Sequence, residues 1–172
     1  MAETVKLLHL LRHAKSSWDD PAQADRDRPL APRGRRAAGR LAGHLRDHGV
    51  RPAVVLCSPA LRTRQTLEQI RPGLDEGVEV LIEDGLYGAS ASELLDRLHR
   101  LPADVTSVMV IGHNPGLQEL TVLVAREGEL RERARAHFPT AALATLAVRK
   151  GDWAGLARAG ADLVSYLSPR DL

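Results

Sequence analysis

The chain has 172 residues, 24 of them basic and 22 acidic, and its net charge of +2 does not indicate a general polyanion-binding protein. Aromatic residues make up only 3% of the sequence, which is little material for stacking nucleic-acid bases, whereas a hydrophobic fraction of 44% suits an ordinary globular core. The length fits one domain over residues 1–172. No apolar run approaches the roughly 20 residues of a membrane span, and the short N-terminal run lacks the form of a signal peptide. We therefore expect a cytoplasmic protein that binds neither membranes nor nucleic acids.

Apolar runs alternate with amphipathic stretches along the chain. In chain order they predict a strand over Val5–Leu11, a helix over Gly34–His48, a strand over Ala53–Cys57, a helix from Ser58 to about Ile70, a strand over Val78–Ile82, a helix over Ser92–Leu101, a strand over Ser107–Ile111, a helix over Leu117–Ala125, and strands over Ala141–Val148 and Leu163–Leu167. Ser58 and Ser92 are predicted helix caps, and Pro59 is predicted to occupy the first helical position. The polar stretches 14–33 and 126–139 are expected to be connections without an element of their own.

This alternation favours an α/β fold, a three-layer α/β/α sandwich with a mostly parallel central sheet. The runs VVLC (residues 54–57) and VMVI (residues 108–111) are continuously apolar, as is typical of strands buried on both faces. The one cysteine, Cys57, lies in the first of these runs, and we expect a buried, unreactive thiol in a reducing compartment.

The arginines are unevenly placed. Six of them crowd one segment of the chain: Arg26, Arg28, Arg33, Arg35, Arg36 and Arg40. Such a cluster can create a local field that attracts anions, and the alternative interpretation is a solvated loop and helix face. Nucleic-acid binding by this cluster is a weaker hypothesis because no recognition element accompanies it.

Polar residues follow the predicted strands where they end. They are Arg12 and His13 after the first strand, Arg62 after the second, Glu83 and Asp84 after the third, and His113 after the fourth. The carboxyl ends of parallel strands lie on one rim of a sheet, so these side chains are expected to converge on one pocket.

A pocket with two arginines and two histidines suits a phosphoryl group. Arginine offers planar, bidentate donors that match phosphate oxygens. Histidine titrates near neutrality and can act as a nucleophile that forms a covalent intermediate. We expect no metal, because no Asp/Glu cluster has magnesium spacing, and His9 and His13 lie four apart on a strand rather than on a chelating helix.

These residues carry a family resemblance. Leu11-Arg12-His13 resembles the Leu-Arg-His signature of the histidine phosphatase superfamily, the phosphoglycerate-mutase-like proteins, and the string RHAKSSW over residues 12–18 is similar to its small bacterial branch, the SixA-type phosphohistidine phosphatases. Further matching motifs follow in order over nearly the whole chain: Arg28-Pro29-Leu30 with Arg33-Gly34, Ser58–Thr66, Leu86–Ala89, Gly112–Leu117, Phe138–Thr140 and Pro169–Leu172. The resemblance implies a phosphoglycerate-mutase-like fold and a phosphatase without a metal or another cofactor.

The resemblance also implies roles for the matching residues. His13 would be the nucleophile that accepts the phosphoryl group, Arg12 and Arg62 would clamp its oxygens, and His113 would donate to the same oxygens or stabilise their charge. Two side chains close to these in sequence are expected as additional substrate contacts: Ser16 and Arg64.

The proton donor is where this sequence departs from the superfamily pattern. Many members use a carboxylate after the third strand to protonate the leaving oxygen, whereas one alignment of this stretch places Gly85 at that position here. Asp84 is the predicted donor, and the alternatives are Glu83 or neither. If neither carboxylate reaches the pocket, a phosphohistidine with its labile P–N bond is a better substrate than an alkyl phosphate.

Chain length indicates the class of substrate. The short connections, such as 84–91 and 126–139, leave no room for the capping insertions of larger superfamily members. An uncapped pocket admits a phosphorylated protein side chain, so the predicted substrate is protein phosphohistidine. Small phosphoesters can enter the same pocket, which makes a small-molecule phosphomonoesterase the first alternative. The second alternative is a non-catalytic phosphate-binding protein, although such a protein has no need of a nucleophilic histidine.

Overall fold

The structure is a computed structural model that describes residues 5–149 and 151–172. Six strands lie within these ranges: β1 (Lys6–Arg12), β2 (Val54–Cys57), β3 (Glu79–Ile82), β4 (Ser107–Gly112), β5 (Leu143–Val148) and β6 (Asp162–Leu167). The α-helices of the described residues are α1 (Pro32–Asp47), α2 (Leu61–Ile70), α3 (Ala91–His99), α4 (Gly116–Val124) and α5 (Glu129–Ala136). No helix in the two ranges is long and apolar enough to cross a membrane.

The strands form one mixed sheet in the order β3-β2-β4-β1-β5-β6. Strands β3, β2, β4 and β1 pair in parallel, and β5 pairs antiparallel with both of its neighbours. The prediction of a mostly parallel sheet is therefore confirmed. The register pairs Arg12 with Gly112, so β1 and β4 end side by side and the residues that follow them, His13 and His113, leave the sheet at the same point.

Helices cover both faces of the sheet, as a three-layer sandwich requires. Val108 and Val110 of β4 pack in one apolar cluster with residues of α3 and α4. Met109 and Ile111, which alternate with them, pack in a second cluster with residues of α1 and α2. This alternation explains why the strand sequence is continuously apolar, because both of its faces are buried.

Several predicted element boundaries were wrong. Helix α2 begins at Leu61, so Pro59 does not start it and Ser58 does not cap it. The Ser58 hydroxyl is instead held by His113, at 2.7 Å from its Nε2 atom. Ser90, not Ser92, caps α3, and it forms a reciprocal capping box with Glu93.

Two stretches expected to be irregular contain structure. Helix α5 lies within 126–139 and was missed, because its sequence ELRERARA buries only Ala134 and shows no apolar periodicity. The stretch 14–33 is tied together by a bridge between Ser16 and Leu30 and contains a 3-10 turn at Asp25–Asp27. This turn brings the carboxylate of Asp25 back over the carboxyl ends of the strands, where it contacts Arg62.

Candidate active site

His13 follows directly after β1 and is buried, with 6% of its surface exposed. Its Nδ1 atom lies 2.8 Å from the carbonyl oxygen of Ala14. A carbonyl oxygen can only accept, so Nδ1 carries the proton and Nε2 keeps a free lone pair. The backbone of this loop is fixed as well, since the Ala14 N–H donates to the Thr66 hydroxyl at 3.0 Å. The local geometry therefore holds a neutral imidazole in the tautomer that suits a nucleophile at Nε2.

Arg12 ends β1 beside His13. Its Nη1 donates to the carbonyl oxygen of Phe138 at 3.0 Å, and the amide of Asn114 donates to the same oxygen at 2.9 Å. These contacts tie the guanidinium to the loops before β5 and after β4. The Nε–H of Arg12 is buried and has no hydrogen-bond partner in the described part of the chain.

Arg62 lies in the first turn of α2 and is 6% exposed. Its Nη1 donates to the backbone oxygen of Asp25 at 2.7 Å, and its Nη2 donates to the Asp25 carboxylate at 3.1 Å. The Nε–H of Arg62, like that of Arg12, is buried without a partner among the described residues. Asp25 thus orients both terminal nitrogens of the Arg62 guanidinium, and the Nε–H is left to donate to a ligand.

Asp25 was not predicted as a site residue. Besides Arg62, its carboxylate accepts from the hydroxyl of Tyr87 at 2.6 Å and from Nε of Arg28 at 3.2 Å. The Tyr87 hydrogen bond, followed by the contacts with Arg62, lowers the pKa of Asp25 to about 2, so it is a poor proton donor at neutral pH. Nothing distinguished it in sequence from the other acidic residues of 14–33. The one available signal was its place three residues before Arg28, which belongs to a motif that the resemblance includes.

His113 follows β4 and faces His13, with the two ring centroids 5.4 Å apart. Its Nδ1 lies 3.4 Å from Nη2 of Arg62, and its Nε2 lies 2.7 Å from the Ser58 hydroxyl. A guanidinium only donates, so Nδ1 accepts and Nε2 donates to Ser58. The structure therefore brings together four of the side chains that the sequence places at strand ends: Arg12, His13, Arg62 and His113.

The other predicted site residues have their hydrogen-bond and ion-pair partners outside this cluster. The Asp84 side chain is 88% exposed and pairs with Arg26 at 3.2 Å, and Glu83 forms a bidentate pair with Arg97. Neither carboxylate forms a hydrogen bond or ion pair with the four clustered side chains. Two further side chains have partners outside this cluster: Arg64 donates to the Pro59 carbonyl, and Ser16 accepts from Arg28 at 2.8 Å.

Burial governs the ionisation of both histidines. Desolvation lowers the pKa of His13 to about 3, against the hydrogen bond to Ala14, which acts in the opposite direction. It likewise lowers the pKa of His113 to about 4, and the neighbouring Arg62 adds to that shift. Both rings are neutral at physiological pH. No group of three or more His, Cys, Asp or Glu side chains within 5–149 and 151–172 is arranged to hold a metal ion.

Comparisons with known proteins agree with this geometry. Residues 8–94 match the sequence profile of the histidine phosphatase superfamily (branch 1). An uncharacterised protein of Mycobacterium tuberculosis strain H37Rv is 38% identical over 164 residues, which cover 93% of this chain and 100% of the relative. A solved structure of a proposed phosphohistidine phosphatase SixA from Nakamurella multipartitia is 35% identical, with a TM-score of 0.84 and coverage of 98% of this chain and 99% of that one.

A second solved structure, of a proposed phosphohistidine phosphatase SixA from Agrobacterium tumefaciens, is 31% identical, with a TM-score of 0.79 and coverage of 95% of this chain and 98% of that one. The fold is thus the phosphoglycerate-mutase-like α/β fold that the resemblance implied. The profile match covers half of the chain and includes Arg12, Arg62 and the His13 loop. This protein belongs to the histidine phosphatase superfamily and is similar in structure to its SixA-type members.

Proposed function

We propose that the protein is a phosphatase that hydrolyses phosphohistidine on proteins through a covalent phosphohistidine intermediate at His13. The observation that carries this proposal is the geometry of His13. A buried neutral imidazole has its Nδ1–H fixed on the Ala14 carbonyl and its Nε2 lone pair free, next to the buried guanidinium of Arg62 and the half-buried guanidinium of Arg12. A site that only bound phosphate would gain more from a protonated histidine than from a neutral one.

The first step is an in-line displacement at phosphorus. The Nε2 lone pair of His13 forms a P–N bond while the bond between phosphorus and the leaving nitrogen of the substrate breaks, and that nitrogen takes a proton from solvent. Arg12 and Arg62 donate to the equatorial oxygens, where charge accumulates in the transition state. In the second step water attacks phosphorus, the P–N bond to His13 breaks, and inorganic phosphate leaves.

His113 serves the same oxygens. In the free protein its Nδ1 accepts from Arg62. A bound phosphoryl dianion raises the pKa of a nearby imidazole, which favours protonation of Nδ1. The protonated ring then donates to the phosphoryl group, while Ser58 keeps the ring in position through Nε2.

The leaving group determines the class of substrate. An alkyl phosphate needs an acid to protonate its oxygen. The carboxylates near the rim are unsuited to that role: the Tyr87 hydrogen bond and Arg62 lower the pKa of Asp25 to about 2, and Glu83 and Asp84 pair with arginines outside the cluster. Since the P–N bond of a phosphohistidine is labile and its nitrogen is basic, its cleavage does not depend on a strong acid in the site.

The test compares wild type with His13→Ala on a protein carrying phosphohistidine and on p-nitrophenyl phosphate, both without added metal. We expect wild type to cleave both, the phosphohistidine protein with the higher kcat/KM, and the variant to lose at least about 10³-fold on each. Wild type quenched in alkaline detergent, in which phosphohistidine is stable, should also carry labelled phosphate on His13.

Other outcomes assign the site differently. A higher kcat/KM on p-nitrophenyl phosphate than on the protein would favour a small-molecule phosphomonoesterase at the same site. Full activity in His13→Ala would exclude the proposed nucleophile. Phosphate binding without turnover of either substrate would leave a binding protein.

A further inference from the structure

A basic groove lies beside the His13 loop and contains none of the proposed phosphoryl-pocket residues. It has a volume of about 350 Å³ and contains no Asp or Glu among its lining residues. Five of its lining side chains are basic: Lys15, Arg33, Arg40, His137 and Arg170. The molecule as a whole is nearly balanced, with 24 basic and 22 acidic residues, so this groove is a local segregation of positive charge.

We propose that the basic groove binds acidic side chains that surround the phosphorylated residue of a protein substrate. This inference rests on the proposed phosphatase function and narrows the substrate class to phosphoproteins with a negatively charged surface next to the phosphohistidine. It also gives a role to part of the arginine cluster that the phosphoryl pocket leaves unused.

The groove adjoins the loop that carries His13. Lys15 lies two residues after His13, so their Cα atoms are at most about 7 Å apart. The backbone N–H of Ala141, which also lines the groove, donates to the carbonyl oxygen of His13 at 2.9 Å. A protein that inserts a phosphorylated side chain at His13 therefore places the neighbouring part of its surface over the groove.

Close packing of α1 against the loop after β1 brings two of the cations together. The N–H of Ala31 donates to the Lys15 carbonyl oxygen at 2.9 Å, and a Cβ atom on Gly34 would stand only 2.1 Å from that oxygen. The start of α1 thus lies directly on the Lys15 backbone, with Arg33 next to it. Arg40 is seven residues further on, two turns along the same helix face, so the groove carries a row of positive charge.

These cations are not neutralised within the described structure. Ten other arginines form ion pairs there, whereas Lys15, Arg33, Arg40 and Arg170 form none with a described residue. Asp171, the acidic residue next to Arg170 in sequence, accepts from the backbone N–H of Ser168 at 2.8 Å instead. Like charges held side by side repel, and an acidic partner relieves that repulsion.

Exposure favours a protein as the occupant over a second phosphate of a small substrate. The cations Arg12 and Arg62 of the phosphoryl pocket are held by other groups, as a preformed small-anion site requires. The lysine and arginines of the groove are exposed, come from three separate segments and are held by no partner side chain among the described residues: Lys15, Arg33, Arg40 and Arg170. Exposed charges of this kind are typical of the rim of a protein interface, where they set partner choice and association rate.

The experiment compares two double variants that change the net charge equally. Arg33→Ser/Arg40→Ser removes two groove cations, and Arg35→Ser/Arg36→Ser removes two exposed arginines of the same helix that do not line the groove. The probes are two phosphohistidine peptides of equal length, one with flanking glutamates and one with flanking glutamines, together with p-nitrophenyl phosphate. All four substituted positions are exposed, so both variants should fold.

We expect wild type to prefer the glutamate peptide, through a lower KM that rises with salt. The groove variant should raise the KM for this peptide by about fivefold, leave the glutamine peptide and p-nitrophenyl phosphate unchanged, and lose most of the salt dependence. The Arg35/Arg36 variant should behave as wild type. Equal effects of the two variants, or no peptide preference in wild type, would overturn the proposal.

Two further readouts separate this proposal from the proposed function. If wild type cleaves neither peptide, the proposed function fails, but the groove can still be tested by inhibition of p-nitrophenyl phosphate turnover with the unphosphorylated glutamate peptide. Inhibition that is weakened only in the groove variant supports the proposed role of the groove. Inhibition that is unchanged in the groove variant overturns it. Inhibition by pyrophosphate forms the second readout. If the groove variant weakens inhibition by pyrophosphate without changing the KM values for the two peptides, the groove binds a small bisphosphate and the proposal is wrong.

Discussion

At the residue scale, the site depends on a neutral histidine. Two features of the structure keep the His13 imidazole neutral and in one tautomer. The hydrogen bond from Nδ1 to the Ala14 carbonyl fixes the tautomer, and burial of the ring disfavours its charged form. The proposed nucleophile therefore needs no separate general base, since its Nε2 lone pair is available before substrate binds.

This state predicts an unusual titration for His13. Burial lowers its pKa from 6.5 to about 3, so its ring resonances should stay those of a neutral Nδ1–H imidazole from pH 8 down to about 4 in the free protein. Nitrogen-15 NMR of histidine-labelled protein measures this directly, with His13→Gln to assign the signals. A His13 midpoint near 6.5 would show that burial does not govern its charge.

Asp25 is predicted to act by positioning Arg62. Asp25→Asn removes the charge that orients the guanidinium through Nη2, so kcat/KM should fall by about 10- to 100-fold. Because the Asp25 side chain is half exposed, thermal stability should change little. Restoring part of the activity with Asp25→Glu would distinguish an electrostatic role from a purely steric one.

Asp84→Asn is the matched control, because it removes a second rim carboxylate that also pairs with an arginine, Arg26. Its side chain contacts none of the four clustered residues, so we expect less than about a twofold change in kcat/KM for phosphohistidine. A large loss confined to alkyl phosphates, whose leaving groups are poor, with p-nitrophenyl phosphate little affected, would instead identify Asp84 as the proton donor.

At the scale of elements, one glycine decides how closely α1 approaches the His13 loop. A Cβ atom at Gly34 would meet the Lys15 carbonyl oxygen at 2.1 Å, whereas one at Gly39, on the same helix, would meet no atom within 4 Å. Gly34→Ala should therefore destabilise the fold by about 2 kcal/mol or more and displace the loop that holds His13. Gly39→Ala should stabilise α1 by roughly 0.5–1 kcal/mol. Urea denaturation of wild type and both variants measures these changes. A free energy of unfolding for Gly34→Ala equal to that of wild type would mean that the loop moves without strain.

Element prediction from sequence succeeded where burial is periodic and failed where it is not. The continuous runs of β2 and β4 and the amphipathic spacing of α1 follow from how much of each element is buried. Helix α5 buries one alanine and is held partly by Gln118, whose amide donates to the carbonyl oxygens of Ala134 and Arg135. A contact of that kind depends on tertiary packing, so local sequence could not reveal it.

The same limit applies to the site. Four residues were predictable because each ends or follows a strand whose end is set by its own apolar pattern: Arg12, His13, Arg62 and His113. Asp25 was not, because it reaches the site on an irregular loop whose path depends on Arg28, Tyr87 and Arg62 together. Sequence therefore predicts the proposed phosphoryl-binding residues better than the residues that orient them.

At the scale of the whole molecule, two buried histidines and one half-buried histidine link stability to pH. Burial lowers the pKa values of His9, His13 and His113 from 6.5 to about 4, 3 and 4. The unfolded chain takes up protons on these side chains near pH 6.5, whereas the folded protein does not until about pH 4. The unfolded state therefore binds more protons in this window, and the free energy of unfolding must fall as the pH drops from about 6.5 to 4.

His9 isolates this effect from catalysis, because it lies on β1 within the sheet and is 2% exposed. Its Nδ1 is 2.9 Å from the Thr145 hydroxyl, and its Nε2 is buried without a partner in the described structure. His9→Asn keeps a polar atom for Thr145 and removes the titrating ring. Between pH 7 and pH 4, wild type should lose about 3 kcal/mol more than this variant, since a shift from 6.5 to about 4 corresponds to that difference. Urea denaturation at several pH values measures it. Parallel stability curves for the two proteins would mean that His9 takes up its proton equally in the folded and unfolded states, whatever the variant costs at neutral pH.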